Sequence, residues 1–191
     1  MSEATTVENL YLLGHPIAHS KSPVMYNAVY ERLGLSWHYE LADMAGEDEA
    51  RAFLDARDFL SVNITTPYKP LAYRAATHQA ASAKLARGAN LLCRHGEALL
   101  AYNTDGQGCV AYLERTGFDF AGCSAVVCGT GPTALSIVHA CAIAGADEVV
   151  LVGRGKDRAR DVLDAYVQEF GRLSSAAVDL PAAREHHRSF R

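Results

Sequence analysis

No stretch of the sequence approaches the roughly eighteen uninterrupted apolar residues of a membrane-spanning helix. The opening MSEATTVENL holds two glutamates and no basic residue, so neither a signal peptide nor a membrane span is expected. Positive charge is not in excess either. Lys and Arg number 18 against 22 Asp and Glu, for a net charge of -4, which argues against nucleic acid or an anionic membrane as partner. The five cysteines, at 93, 109, 123, 128 and 141, are odd in number and lack a C-x-x-C pair. In largely apolar surroundings they read as reduced structural thiols, and the chain as cytoplasmic. His15 and His19 are four apart but flank a proline in a loop, with no third ligand at a recognised spacing, so no metal is expected.

What is present suffices for a packed core. At 191 residues, 49% hydrophobic and 21% charged, the chain has room for one large domain or two small ones and is not of disordered composition. Apolar runs of strand length alternate with helical patterns, which predicts α/β layering. Strands are expected at 10–13, 37–41 and 59–64, a hairpin of 90–93 with 98–102 around His95-Gly96, and helices at 47–57 and from Asp105 to 114. Ser22-Pro23 reads as an N-cap and first-turn proline for a helix ending at Gly34, and Thr66-Pro67 reads the same way, which puts Lys69 in a first turn. Asp105 is also suited to cap the helix it begins.

Two segments carry the chemistry. Residues 14–27, GHPIAHSKSPVMYN, gather hydrogen-bonding side chains around two prolines, and residues 63–69, NITTPYK, place Thr65, Thr66 and Lys69 at the mouth of an apolar strand. Paired serines, asparagines, threonines and one lysine suit a small, hydroxyl-rich, anionic ligand. A lone lysine after a proline is ordinarily a solvated helix-start residue; Asn63, Thr65 and Asp105 beside it in the pattern reverse that reading. From Cys123 the pattern becomes a strand at 124–128, a turn Gly129-Thr130-Gly131-Pro132-Thr133-Ala134, a helix at 133–144, a strand at 148–152 and a helix at 158–170. Gly129, Gly131 and Ala134 meet G-x-G-x-x-G/A, the phosphate-binding turn of a Rossmann unit. Where an NAD enzyme carries an acidic residue at the end of the second strand, this chain has Arg154, with Arg158 close by. A guanidinium suits a 2'-phosphate, so NADP is the expected cofactor.

These residues resemble the shikimate dehydrogenase family, whose substrate domain carries G-x-P-I-x-H-S-x-S-P and then N-x-T-x-P-x-K. Asn90 fits the asparagine of its G-A-x-N, and Asn103-Thr104-Asp105-Gly106 fits its N-T-D-G. The resemblance implies an α/β fold with a substrate domain over 1–104 containing a mostly parallel sheet, then a Rossmann-like NADP-binding domain over 105–191 of which only the first half is present. It implies reversible reduction of 3-dehydroshikimate to shikimate. Lys69 and Asp105 would carry the proton chemistry, Ser20 and Ser22 would hold the substrate carboxylate, and Asn63, Thr65 and Asn90 would contact ring hydroxyls. Gly129, Gly131, Pro132, Thr133 and Ala134 would line the cofactor turn, and Arg154 and Arg158 would form the 2'-phosphate clamp.

The chain departs from the family at Pro132, where a glycine is usual, and at Gly153 and Gly155, which replace an asparagine and a threonine of the clamp. Roughly 80 residues typical of the family are not found after the last strand, expected at 176–180. The strand at 124–128 would then be an open edge. A shikimate- or nucleotide-binding remnant without turnover is the alternative, as is a quinate/shikimate dehydrogenase, and a homodimer is an open option.

Overall fold

A computed structural model describes residues 7–154, 156–170 and 174–179. The chain forms two compact units, 1–103 and 104–191.

The first unit runs β1 (Glu8–Gly14), α1 (Ser22–Leu33), β2 (Trp37–Asp43), α2 (Glu47–Ala56), β3 (Ser61–Ile64), α3 (Lys69–Ala75), β4 (His78–Gln79), α4 (Ala81–Ala86), β5 (Leu91–His95) and β6 (Ala98–Tyr102). Its sheet has the order β2-β1-β3-β5-β6-β4. β1 pairs in parallel with β2 and with β3, and β4 with β6, while the β5–β6 hairpin, turning at Gly96 with φ 59°, joins β3 antiparallel. The sheet is therefore mostly parallel with a hairpin set into it. Alternation sorts its side chains: Val62 and Ile64 are buried with Leu13, Leu92 and Leu99 against Leu54 of α2 and Leu71 of α3. The opposite face carries Leu10 and Tyr39, packed on Tyr30 of α1.

Local chemistry sets the helix ends. α1 has a proline in its first turn and stops at Gly34, where φ is 66°. Glu47, Asp48 and Glu49 occupy the first turn of α2, favourably placed against the positive end of the helix dipole. Three expected N-caps need correction, although α5 does begin at Asp105 as expected. Lys21, not Ser22, is the N-cap of α1, and Ser22 is its first residue. Thr66-Pro67 does not open α3, which begins at Lys69 with Pro70 as its early proline. Lys69 is still in a first turn, but one set by Pro70. Thr104, not Asp105, is the N-cap of α5, without a side-chain cap bond. The segment 77–88 holds β4 and α4, which no sequence pattern announced. A two-residue strand exists only through its pairing with Leu100 and Ala101.

The second unit runs α5 (Asp105–Arg115), β7 (Ser124–Cys128), α6 (Pro132–Ile143), β8 (Glu148–Gly153), α7 (Lys156–Phe170) and β9 (Ser174–Asp179). Its strands are all parallel in the order β7-β8-β9, the 3-2-1 arrangement of the first half of a Rossmann-like domain. The third strand starts earlier than the sequence suggested. Central β8 is buried from Val149 to Gly153. β7 pairs with β8 alone among the described residues, and Val126 on it is 50% exposed.

All five cysteines are unpaired, but only Cys141 is buried, and Cys109 and Cys128 are exposed, so the reading of mostly apolar surroundings does not hold. Burial, with the neighbouring Cys109 and Cys123 thiols, pushes the Cys141 thiol up to about 11.

α5 crosses α6 at a point of backbone contact. The Gly106 amide donates to Ser136 Oγ at 2.9 Å, and a Cβ on Gly106 would overlap the Ser136 carbonyl. Gly106→Ala should therefore destabilise the second unit by about 1–3 kcal/mol, measured by urea unfolding; unchanged stability would show that the crossing can spread at no cost.

Candidate functional site

The parallel pairing of β1 with β2 and β3 brings three strand ends together, and the two chemistry-bearing segments leave from two of them. Thr65 N–H donates to the Leu13 carbonyl at 2.9 Å, and His15 N–H to the Thr66 carbonyl at 3.1 Å. These bonds lock the two segments side by side. Gly14 makes the approach possible, since a Cβ there would overlap the Thr65 and Ile17 side chains. The His15–Pro16 and Thr66–Pro67 peptide bonds are both cis.

The third strand end supplies a buttress that sequence reasoning missed. Asp43, last residue of β2, accepts from His15 Nδ1 at 2.7 Å through one carboxylate oxygen and from Ile17 N–H at 3.1 Å through the other. These two bonds, the His15 bond foremost, hold the Asp43 carboxyl below the ordinary carboxylate range. No motif signals Asp43, because its partners lie 28 and 26 residues away.

Within the braced loop, Ser20 Oγ donates to Ser22 Oγ at 3.1 Å and accepts from Ser22 N–H at 3.3 Å. The two hydroxyls thus sit together, and both line a cavity of about 710 Å³ shared with Leu12, His15, His19 and Thr65. Asn90 and Lys69 are close by along the backbone. Ile64 N–H donates to the Asn90 carbonyl at 2.8 Å, and Ala89 N–H to the Lys69 carbonyl at 2.9 Å. Asn63 stands one register step from the cavity, opposite Leu12 of β1. Its Oδ1 accepts from the hydroxyl of buried Tyr39 at 2.8 Å.

In the second unit, Asp105 in the first turn of α5 accepts from Thr133 Oγ1 in the first turn of α6 at 2.9 Å. The glycine turn fits a dinucleotide. Gly129 has φ 127°, a conformation glycine alone adopts readily, and a Cβ on it would come within 3.4 Å of Ala134. Gly131, N-cap of α6, has open space where a Cβ would stand, leaving the backbone accessible to phosphate. Pro132 is the first residue of α6, where its missing N–H costs the helix nothing but takes one donor from that helix start. Arg154 is exposed beyond β8, and the Arg158 side chain lies outside the described residues. Among the described residues no group of three or more His, Cys, Asp or Glu is placed to hold a metal ion.

Fold and site together define a two-unit α/β protein in which a polar pocket at strand ends precedes a dinucleotide-type turn. The family description "Shikimate dehydrogenase substrate binding domain" matches residues 12–92. A shikimate dehydrogenase (NADP(+)) of Geobacter metallireducens is 34% identical over 174 residues, covering 90% of this chain and 61% of the relative. One from Moorella thermoacetica is 37% identical over 158 residues, covering 81% and 53%. The solved shikimate 5-dehydrogenase of Thermus thermophilus, in complex with NADP(H) and shikimate, superposes with a TM-score of 0.77 at 31% identity, over 93% of this chain and 65% of that one. Residues 12–92 thus match the substrate binding domain of shikimate dehydrogenases, and most of the chain is similar to proteins of that name. The chain spans about three-fifths of the length of the first of these relatives.

Asp43 gives a pH test. Its folded pKa is depressed, so its contribution to stability is present above the unfolded carboxylate value and lost as the pH falls through the folded one. The stability difference between the wild type and Asp43→Asn should therefore shrink as the pH is lowered from about 5 towards 3. Thermal unfolding over that range checks it, and a difference independent of pH would mean that the carboxylate charge does not brace the loop.

Proposed function

We propose that this chain carries the substrate and nucleotide sites of an NADP-dependent shikimate dehydrogenase, an oxidoreductase interconverting 3-dehydroshikimate and shikimate. In this reading 1–104 is the substrate domain and 105–191 the nucleotide domain. The observation that carries it is the Ser20–Ser22 hydroxyl pair, fixed within hydrogen-bond distance and facing one cavity with Thr65. Two clustered hydroxyl donors beside hydrogen-bonding strand ends suit a carboxylate on a polyhydroxylated ring, and fit an apolar ligand poorly.

Ser20 and Ser22 bind the carboxylate, while Asn63, Thr65 and Asn90 take ring hydroxyls. Lys69 donates a proton to the oxygen of the ketone as it is reduced and accepts one from the hydroxyl in the reverse direction. Asp105 hydrogen-bonds the reacting hydroxyl. The turn at Gly129, Gly131, Pro132, Thr133 and Ala134 would hold the pyrophosphate, and Arg154 with Arg158 the 2'-phosphate. NADP, when bound, supplies or accepts the hydride at the same ring carbon. Cytoplasmic placement belongs to the same reading, since unpaired thiols suit a reducing compartment. Binding without turnover is the second reading, since Pro132 removes one backbone donor from the helix start that would hold the pyrophosphate.

The test is NADPH absorbance with the full chain, NADP and shikimate. Lys69→Ala should lower turnover by about 10²–10⁴-fold while leaving shikimate affinity within tenfold. Normal turnover in that variant would remove Lys69 from the mechanism, and shikimate binding with no turnover in the wild type would favour the second reading. Restoring a donor with Pro132→Gly should tighten NADP binding by about three- to tenfold in calorimetry. An unchanged Kd would mean that no phosphate oxygen faces that position.

A further inference from the structure

We infer that Tyr39 is a positioning residue for ligand recognition, holding the Asn63 amide so that its N–H donors, and not its carbonyl oxygen, are offered to the pocket. This rests on the proposed reading of the first unit as a shikimate-binding domain and adds to it a residue that touches no ligand.

Tyr39 is held on every side. It is 2% exposed, and Tyr26 of α1 stacks on its ring at 4.6 Å between centroids and 20° between planes. β2 is an edge strand among the described residues, so one side of its backbone has no strand partner there. Asn27 takes that place at Tyr39, accepting from its N–H at 2.8 Å and donating to its carbonyl at 3.0 Å. A side-chain amide thus substitutes for a neighbouring strand and fixes the tyrosine along β2. The hydroxyl crosses the face of β1 to Asn63 Oδ1 at 2.8 Å. Burial, reinforced by Tyr26 and Tyr30, pushes the Tyr39 hydroxyl upward from its ordinary pKa, so it remains a protonated donor at neutral pH.

The consequence lies at Asn63. An asparagine offers one acceptor oxygen and a two-hydrogen donor. With its oxygen engaged by Tyr39, Asn63 keeps its donor for the pocket, which Leu12, its neighbour in register, lines. Flipping the amide would leave a buried hydroxyl without its acceptor, which is costly. The ligand atom facing Asn63 must therefore be an acceptor, and both an alcohol oxygen and a ketone oxygen qualify.

The experiment uses the full chain with ¹⁵N-labelled asparagine. Side-chain amide spectra and shikimate calorimetry are recorded for the wild type, Tyr39→Phe, Asn63→Ala and the double variant. In Tyr39→Phe the Asn63 amide pair should collapse towards free-asparagine shifts and shikimate affinity fall by about tenfold. The double variant should bind no more weakly than Asn63→Ala alone, since Tyr39 acts through Asn63. An Asn63 signal unmoved in Tyr39→Phe, or losses that multiply in the double variant, would overturn the role of Tyr39 while leaving shikimate binding intact. A wild type that binds no shikimate would overturn the proposed function, and the recognition role of Asn63 with it.

Discussion

Parallel pairing of β1 with β2 on one side and β3 on the other is the constraint on which the first unit's chemistry depends. In a parallel set every strand ends at the same edge, so the segments after β1, β2 and β3 meet there without further guidance. Gly14, Asp43 and Thr65 are the residues at those ends, and each has a distinct task. Gly14 gives room, Asp43 supplies two acceptors to the loop after β1, and Thr65 donates its backbone N–H across to Leu13. The β5–β6 hairpin contributes from the opposite direction. Antiparallel to β3, it starts at that same edge, which is how Asn90 comes to bond Ile64.

The pocket loop illustrates how a polar cluster is made rigid without burial. Its serines are half-buried and bonded to one another, and a carboxylate a strand away fixes the backbone that carries them. Exposed ion pairs contribute little alone. Here the carboxylate also binds a backbone N–H, and that contact ties charge to loop geometry. In the second unit the corresponding work is done by backbone form. A glycine at positive φ turns the chain, an alanine lets helix approach strand, and Gly106 lets α5 rest on α6. Thr133 then binds Asp105, so the start of the turn's helix and the start of α5 are joined by one hydrogen bond.

Much of this was legible in the sequence, for identifiable reasons. Strand 124–128 was read with the bounds it has, because a short β-branched run between a polar residue and a glycine turn admits few alternatives. Helix α1 was found through Pro23 and Gly34, residues whose backbone preferences act locally. Ser22 was misjudged as a cap because the same residue types serve at a cap and just inside a helix, and only the backbone angles of Lys21 decide between them. β4 and α4 escaped notice because a two-residue strand has no period of its own.

The sequence by itself determined the α/β class, the two chemistry-bearing segments and the glycine turn, because periodicity, proline and glycine act within a few residues of themselves. Only the tertiary structure decided that Ser20 and Ser22 share a cavity, that Asp43 braces their loop and that Tyr39 sets the face Asn63 presents. Those are contacts between residues two dozen or more positions apart, or orientations of a side chain, and they exist only once the strands are in register.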